Sequence, residues 1–433
     1  MTLALDVTLT PAQQAVVDAV GGDDVTPLLV TGRAGTGKST VLHRIVASER
    51  RKVAVCAPTG VAALNVGGQT IHSLLRLPVG LIGTSKLYQD RDLRKLLQAM
   101  DVMIIDEISM VSADLLDGID RALKEARGRR DPFGGVQVVL FGDPFQLAPV
   151  PGGPEERAWY AAKYRSLWFF DAHVWEQIGL RTLHLDLIHR QTDEEFRRLL
   201  TAVRHGAVTR EMAQRLNEVG ARPVPADPPL TLASRNDTVA AINKVALDAL
   251  PGREAVAVAE VDGEFGGRTF PADEELRLKL GAHVMMLRND SEGRWVNGTM
   301  GVVSKLKGGH LEVEIDGVQH EVEAVTWERH RYTYSAASDE LAREVVAQFR
   351  QLPVRLGWAV TIHKPQGATL EAARIDLGRK AFSPGQTYVA LSRLTTLDGL
   401  YLNRPLIPGD VIVDADVRRW VQERRAAAAA PTA

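Results

Sequence analysis

Residues 32–39 read GRAGTGKS, preceded by the apolar run PLLVT and followed by TVLHRIVAS. This G-x-x-x-x-G-K-[ST] pattern demands a strand that ends in a glycine-rich turn and opens straight into a helix. It therefore commits this part of the chain to alternating strands and helices around a parallel sheet. Glycines are required because successive backbone N–H groups must point at phosphate oxygens, an approach that side chains would block. Gly35, Thr36, Gly37, Lys38, Ser39 and Thr40 form the expected cradle. Lys38 supplies a point charge to the terminal phosphates, the Ser39 hydroxyl ligates magnesium, and the helix start adds its partial positive charge. The plain alternative is an unspecialised glycine-rich turn.

The pattern continues in kind. Strands are expected at 27–31, 53–58, 101–107 and 136–143, with a helix at 38–48, closing one domain near Trp175 after the aromatic run Trp168, Phe169 and Phe170. A second alternation starts with LHLDL at residue 183, passes through a charged helix at 194–205, and reaches a strand at 230–234. Between about 297 and 334 the texture changes to short alternating strands with Gly turns, as expected of a small antiparallel barrel. Sheet-like segments at 354–362 and 400–402 make that barrel an insertion, and the low-complexity end AAAAAPTA (426–433) is expected to fray. No fixed-period repeat is present.

With 433 residues, 45% of them hydrophobic, the chain can bury two to four separate cores. Its 52 basic and 54 acidic residues leave a net charge of -2, so any polyanion must be held by local groups. The single cysteine, Cys56, excludes an intramolecular disulfide and a cysteine-rich zinc site, and fits a reducing cytoplasm. It lies in the apolar run 53–57 and reads as an inert core thiol. No apolar run approaches the roughly 20 residues of a membrane span, and no targeting signal is seen, so a cytoplasmic protein is expected.

Two further segments complete the phosphate chemistry. IIDE (104–107) ends an apolar strand in paired carboxylates about 70 residues after the glycine-rich loop. There Asp106 would hold magnesium through its water shell and Glu107 would orient or deprotonate an attacking water; alone, such a pair is as readily a surface turn. In GDPFQ (142–146), Gln146 can both donate and accept, so it can sense a terminal phosphate or be an ordinary polar loop residue. Pro58, Thr59 and Gly60, with Gly68, Thr70, His72 and Ser73, combine small, hydroxyl and imidazole groups suited to sugar-phosphate contacts without base readout. Thr361, His363, Lys364 and Gln366 form a matching set later in the chain. Turn chemistry is the alternative for both sets. Trp295, Trp327 and Trp358 could stack bases, although most such residues are core.

The segments LTPAQQAVV (9–17), GRAGTGKST, APTGVAALNVGGQTIHSLL (57–75), IIDEISMV (104–111), FGGVQVVLFGDPFQLAPV (133–150) and HRQ (189–191) lie in one order with LKLGAHVMMLRND (278–290), WVNGTMGVV (295–303), AVTIHKPQG (359–367) and YVALSR (388–393). In that order the chain resembles the superfamily-one 5′-to-3′ DNA helicases of the petite-integration-frequency (PIF) family, with RecD-type helicases as relatives. The resemblance implies an α/β fold of two RecA-like parallel-sheet domains of the P-loop NTPase type, with a small inserted SH3-like β-barrel and a small wedge insertion. In family terms, domain 1A covers 1–178, with the wedge at about 76–95. Domain 2A covers 179–296 and 353–421, domain 2B 297–352, and 422–433 is a flexible tail.

By the same resemblance, Gln13 reads the adenine edge, where the residues alone indicate only the first turn of a helix. Gly367 contributes to the nucleotide site, and Arg190 and Arg393 reach the terminal phosphate. A planar guanidinium that keeps its proton suits the spreading charge of phosphoryl transfer. The implied activity is ATP-dependent, Mg2+-requiring translocation and unwinding. Implied partners are single-stranded DNA, single-strand/duplex junctions and G-quadruplex DNA, for a monomer associated with a prokaryotic nucleoid and concerned with DNA repair, recombination or telomere maintenance. Two departures stand out: Pro365 occupies a position usually held by serine, and Ala148 replaces a proline. The alternatives are a nucleotide-switched remodelling ATPase without processive unwinding, and an RNA helicase.

Overall fold

Why the first sheet can be buried on both faces is visible in its strands. In the computed structural model, which describes residues 8–225, 228–263, 270–307, 310–335, 340–362 and 369–429, β1 (Leu28–Gly32), β4 (Val102–Ile105) and β5 (Gln137–Gly142) are buried along their whole length. Continuous burial of this kind is what a helix-covered parallel sheet requires. They join β2 (Val53–Ala57), β3 (Gln69–Thr70) and β6 (Arg181–Leu185) in the order β3-β2-β4-β5-β1-β6, every pair parallel. The connecting helices are α1 (Pro11–Gly21), α2 (Lys38–Ser48), α3 (Gly60–Asn65), α4 (Ile71–Leu75), α5 (Arg91–Ala99), α6 (Ala113–Arg127) and α7 (Pro154–Lys163). One face packs Val16 and Val20 of α1 and Val41, Leu42 and Ile45 of α2 against the sheet.

The chain divides into two compact units. The first comprises Met1–His189, Arg329–Val346 and Asp414–Ala433, the second Arg190–Glu328 and Ala347–Val413. This corrects several expectations. LHLDL was expected to open the second domain, yet it lies in β6 and pairs with β1, Leu29 opposite Thr182. Alternation identifies it as a strand, but only a long-range ladder decides which sheet it joins. The wedge region includes α5, and its preceding coil is anchored to α6, with the Ile82 and Gly83 N–H groups donating to Asp114 at 2.6 and 2.9 Å. Ile82 and Leu87 are buried, whereas Val79 and Tyr88 stand out into solvent.

The end of the chain also differs from expectation, because α12 (Ala415–Ala429) continues through the first four residues of the segment expected to fray. It belongs to the first unit, where the Trp420 ring stacks on Phe170 at 5.0 Å and lies edge-on to Phe169. Arg424 donates to the Thr182 hydroxyl at 2.6 Å, and Arg419 pairs with Asp171. The aromatic run that reads as a domain end is thus half of a cluster completed by a residue some 250 positions later.

In the second unit, β7 (Thr231–Ala233) lies between β18 (Ala359–Thr361) and β19 (Ala373–Asp376), with β20 (Leu400–Leu402) beyond, all parallel. Its helices are α8 (Glu194–His205), α9 (Arg210–Gly220), α10 (Asn236–Ala249) and α11 (Gln386–Leu391). The antiparallel part begins earlier than the expected 297. β8 (Ala255–Val258) pairs with β10 (Glu275–Leu278). A five-stranded sheet links β14 (Val318–Val322), β13 (His310–Ile315), β12 (Met300–Lys307), β11 (His283–Met286) and β17 (Val354–Leu356). Asp316 and Gly317, at φ 51° and 79°, make the tight turn between β13 and β14. Trp295 is core there, while Trp327 leans on Phe349 and Trp358 on His283.

The long ribbon of β15 (Val325–Ser335) and β16 (Glu340–Gln351) pairs at its base with β9 (Glu260–Gly263). Its far end belongs to the first unit. There the Tyr332 hydroxyl accepts from the Val55 N–H at 3.1 Å, Gln69 Nε2 donates to the His330 carbonyl, and Lys52 sits over the Tyr334 ring. The two-residue β3 covers only Cys56 and Ala57, and the ribbon contacts β2 just before them.

Candidate nucleotide site and strand-contact residues

The cradle forms where β1 turns into α2. Gly35 and Gly37 both have φ 80°, a region closed to most side chains. A Cβ on Gly32 would lie 2.6 Å from the Leu185 carbonyl oxygen, so the strand end admits only glycine without a backbone shift. Gly37 precedes α2 with no side-chain cap, so the first turn at Lys38, Ser39 and Thr40 presents the kind of helix start at which phosphates bind. Lys38 Nζ donates to the carbonyls of Gly32 at 2.7 Å and Arg33 at 3.0 Å, while the Thr36 hydroxyl donates to Arg33 at 2.9 Å. The Gly35 carbonyl accepts from the His189 N–H at 2.8 Å, tying the loop to the end of the first unit's main segment.

Gln13 does two jobs here, and the helix-start reading is one of them. Thr10 and Gln13 form a reciprocal cap of α1, with Gln13 Oε1 accepting from the Thr10 N–H at 2.9 Å. Its Nε2 donates to the Thr36 carbonyl at 3.1 Å, inside the cradle. An amide has two donor hydrogens and two lone pairs, so one of each remains for an adenine edge.

Asp106 and Glu107 follow β4 at the same carboxyl edge of the sheet. Burial pushes the Asp106 carboxyl upward, opposed by the Glu107 backbone N–H and the Lys38 charge. Glu107 sits at φ 53°, ψ 47°, a left-handed conformation rare for a residue with a side chain. The next residues pack against the start of GDPFQ: a Cβ on Gly142 would meet Ile108 Cγ2 at 2.9 Å. Asp143 is fully buried and accepts from the Phe145 N–H at 3.1 Å, and Gln146 is 5% exposed. Among the described residues no group of three or more acidic, histidine or cysteine side chains could cage a metal. The Ser39 hydroxyl and the Asp106 carboxylate are oxygen donors of the kind that magnesium takes together with water and phosphate oxygens.

In the second unit Arg190 and Arg393 are neighbours. Arg190 donates to the Thr369 hydroxyl and the Ser392 carbonyl, both at 3.1 Å. Arg393 is 1% exposed and donates to the Val389 carbonyl and the Ser392 hydroxyl, again at 3.1 Å. Burial, and then the adjacent Arg393 charge, push Arg190 down to about 9, so it stays charged at neutral pH. Sequence reasoning missed Gln191, which is 2% exposed; its Nε2 donates to the Ser392 carbonyl at 3.1 Å and the Leu394 carbonyl at 2.8 Å. It thereby staples the backbone on both sides of Arg393. Gly142 was missed as well, because nothing local indicates which residue a glycine must admit.

The strand-contact set in the first unit lies after β2 and around β3. Thr59 and Thr70 cap α3 and α4, accepting from Ala62 and Ser73 N–H groups at 3.2 Å, so turn chemistry is part of their role. Gly68 must be glycine, since a Cβ would fall 2.4 Å from the Val55 carbonyl oxygen. Gly60, beside Pro58, has open space where a Cβ would stand. His72, one residue before Ser73 in α4, buries Nδ1 without a hydrogen-bond partner. Thr361 ends β18 and is 6% exposed. His363, Lys364, Gln366 and Gly367, with Pro365, lie outside the described residues.

Comparison with known proteins identifies the chain's relatives. Residues 8–214 match the model described as "PIF1-like helicase", and residues 268–306 that of "DNA helicase Pif1, 2B domain". The chain is 32% identical over 430 residues to the ATP-dependent DNA helicase Pif1 of Bdellovibrio bacteriovorus, covering 96% of this chain and 92% of that protein. It is 36% identical over 408 residues to the human ATP-dependent DNA helicase PIF1, covering 90% of this chain but only 60% of the human one. The fold superposes on Bacteroides sp. Pif1 in complex with ADP-AlF4 with a TM-score of 0.90, at 34% identity and 98% coverage of both chains. Against Bacteroides Pif1 bound to single-stranded DNA the TM-score is 0.71, again at 34% identity and 98% coverage of both.

Proposed function

The chain belongs to the PIF1-like helicases, a family of ATP-dependent DNA helicases, and from that premise we propose that it hydrolyses Mg-ATP to move 5′ to 3′ along single-stranded DNA and unwind duplexes in its path. The observation that carries the reading is the completeness of the hydrolytic set. A glycine cradle holds Lys38 on β1–α2, Asp106 and Glu107 follow β4, and a stapled arginine pair stands in the second unit.

In this reading the cradle N–H groups and Lys38 bind the phosphates, and Gln13 meets the adenine edge. Ser39 and Asp106 hold Mg2+, which neutralises phosphate charge when bound. Glu107 orients or deprotonates the attacking water. Arg190 and Arg393 stabilise charge that develops on the transferring phosphoryl oxygens, while Gln146 registers whether the terminal phosphate is present. Thr59, Thr70, His72 and Ser73 in one unit, and Thr361, His363, Lys364 and Gln366 in the other, grip the sugar-phosphate backbone. Release of the terminal phosphate then advances the grip.

The same motor, working as a monomer at single-strand/duplex junctions, is suited to G-quadruplex DNA and to repair, recombination and telomere maintenance, roles drawn from the family resemblance. Among the described residues no helix is long and apolar enough to cross a membrane, and a prokaryotic nucleoid in the cytoplasm is the proposed place of work. Unwinding of duplexes with a 5′ or a 3′ tail tests the proposal, using ATP, a non-hydrolysable analogue and the Lys38→Ala variant. The expected result is separation of the 5′-tailed duplex by the wild type with ATP alone. Separation from a 3′ tail would overturn the polarity, and rapid ATP turnover without separation would favour a nucleotide-switched remodeller.

A further inference from the structure

The carboxyl edge of the second parallel sheet carries more than the Thr361 segment. In register, Ala233 of β7 lies opposite Thr361 of β18 and Asp376 of β19, so the residues that follow these strands emerge side by side. After β7 comes Arg235, and after β19 the loop Gly378, Arg379, Lys380 and Phe382. Phe382 is 57% exposed, although burying a ring of that size would normally contribute roughly 1.5–3 kcal/mol. The Arg235 guanidinium lies 5.6 Å from its ring centroid. Arg235, Arg379 and Lys380 are all exposed, and among the described residues none of them is in an ion pair. Arginines elsewhere on the surface, such as Arg181, Arg215 and Arg404, do pair with carboxylates. A face with an open ring, a stacked guanidinium and cations without counter-ions meets the needs of an unpaired polynucleotide, whose bases stack and whose phosphates require charge. An apolar protein partner would leave three cations desolvated and unpaired, which is costly.

We propose that Arg235 and Phe382 form a stacking platform for a base of single-stranded nucleic acid, with Arg379 and Lys380 on the adjoining phosphates. The platform extends the strand path beyond Thr361 on the same sheet edge. It rests on the reading of the chain as a strand-binding motor, but none of its four residues belongs to the segments that carried that reading.

The test is fluorescence anisotropy of a labelled oligo(dT) across a salt series, with wild type, Phe382→Leu, Phe382→Tyr and Arg379→Gln. Phe382→Leu weakens binding by roughly 5- to 100-fold with the salt slope unchanged, because stacking is lost and no charge is. Phe382→Tyr retains wild-type affinity. Arg379→Gln weakens binding and lowers the slope by about 0.7, the loss of one single-strand phosphate contact. An oligonucleotide carrying 5-iodouracil, irradiated on the wild type, crosslinks within residues 377–385. A merely structural role would shift the melting temperature without separating affinity from salt slope. If wild type binds oligo(dT) but the variants bind equally well and no crosslink maps to 377–385, the platform is refuted while the motor reading stands. If wild type itself fails to bind any single strand, it is the motor reading that falls.

Discussion

Gln191→Leu is the most informative single substitution, because it touches neither nucleotide nor strand. The side chain is buried, and its amide supplies one hydrogen to each carbonyl flanking Arg393. Leucine fills a similar volume and offers no donor. The Ser392 carbonyl keeps its bond from Arg190, so one hydrogen bond of about 1 kcal/mol is lost there. The Leu394 carbonyl loses its side-chain donor inside the protein, at about 1–3 kcal/mol. The sum, about 2–4 kcal/mol, corresponds to a drop of roughly 4–16 °C in the melting temperature of a unit this size. The functional effect should be separable from that loss. At a temperature where the variant is folded, ADP affinity stays near wild type, while affinity for ADP with aluminium fluoride falls at least tenfold. The arginines that the staple positions act on phosphoryl-transfer charge rather than on ground-state nucleotide. Titration calorimetry with the two ligands, alongside differential scanning calorimetry, measures both. An unchanged melting temperature, or an equal loss of affinity for both ligands, would refute the staple.

Two further outcomes are expected. Glu107→Gln keeps the fold but cuts steady-state phosphate release by a factor of about 10²–10⁴, whereas Glu107→Gly is equally inactive yet melts no lower than the Gln variant. The left-handed backbone at φ 53° offsets the roughly 0.5–1 kcal/mol that glycine ordinarily loses, and a markedly less stable glycine variant would contradict this. Asp410→Asn destabilises by about 3–5 kcal/mol at pH 7 in urea unfolding. Burial pushes the Asp410 carboxyl up, but this is outweighed by bidentate Arg404 at 2.6 and 2.8 Å and by the N–H groups of Ile407 and Ala381. A pKa held below the unfolded value of about 3.9 makes the contribution complete above that pH and lost as pH falls through the folded value. The gap between variant and wild type should therefore hold from pH 6 down to about pH 4 and narrow only below it, and a gap that stays constant through that acid range would refute the assignment.

What could be read without coordinates followed from local chemistry. GRAGTGKS specifies its own turn, and the apolar runs at 53–58 and 136–143 differ from β2 and β5 only at their ends. Gln13 illustrates the boundary. Thr-Pro before it signals a helix start, but its second bond, to Thr36, is made across 23 residues. LHLDL was assigned to the wrong unit because edge pairing with β1 leaves no mark on composition. The tail looked frayed because alanine runs are featureless, while the residues that anchor α12, Val417 and Trp420, lie just upstream and gain meaning only beside Phe169 and Phe170. Gln191 was visible in HRQ, yet its partners stand about 200 positions away.

The threefold passage of the chain through the first unit bears on how the molecule is made. A ribosome releases the six strands of the first sheet long before it has synthesised Tyr332, and Trp420 follows later still. Until then the flank of β2 and the Phe170 ring face solvent, open to association with other nascent chains. The domain that begins first is finished only once Trp420 has emerged, and a stop codon before Trp420 would leave it permanently incomplete.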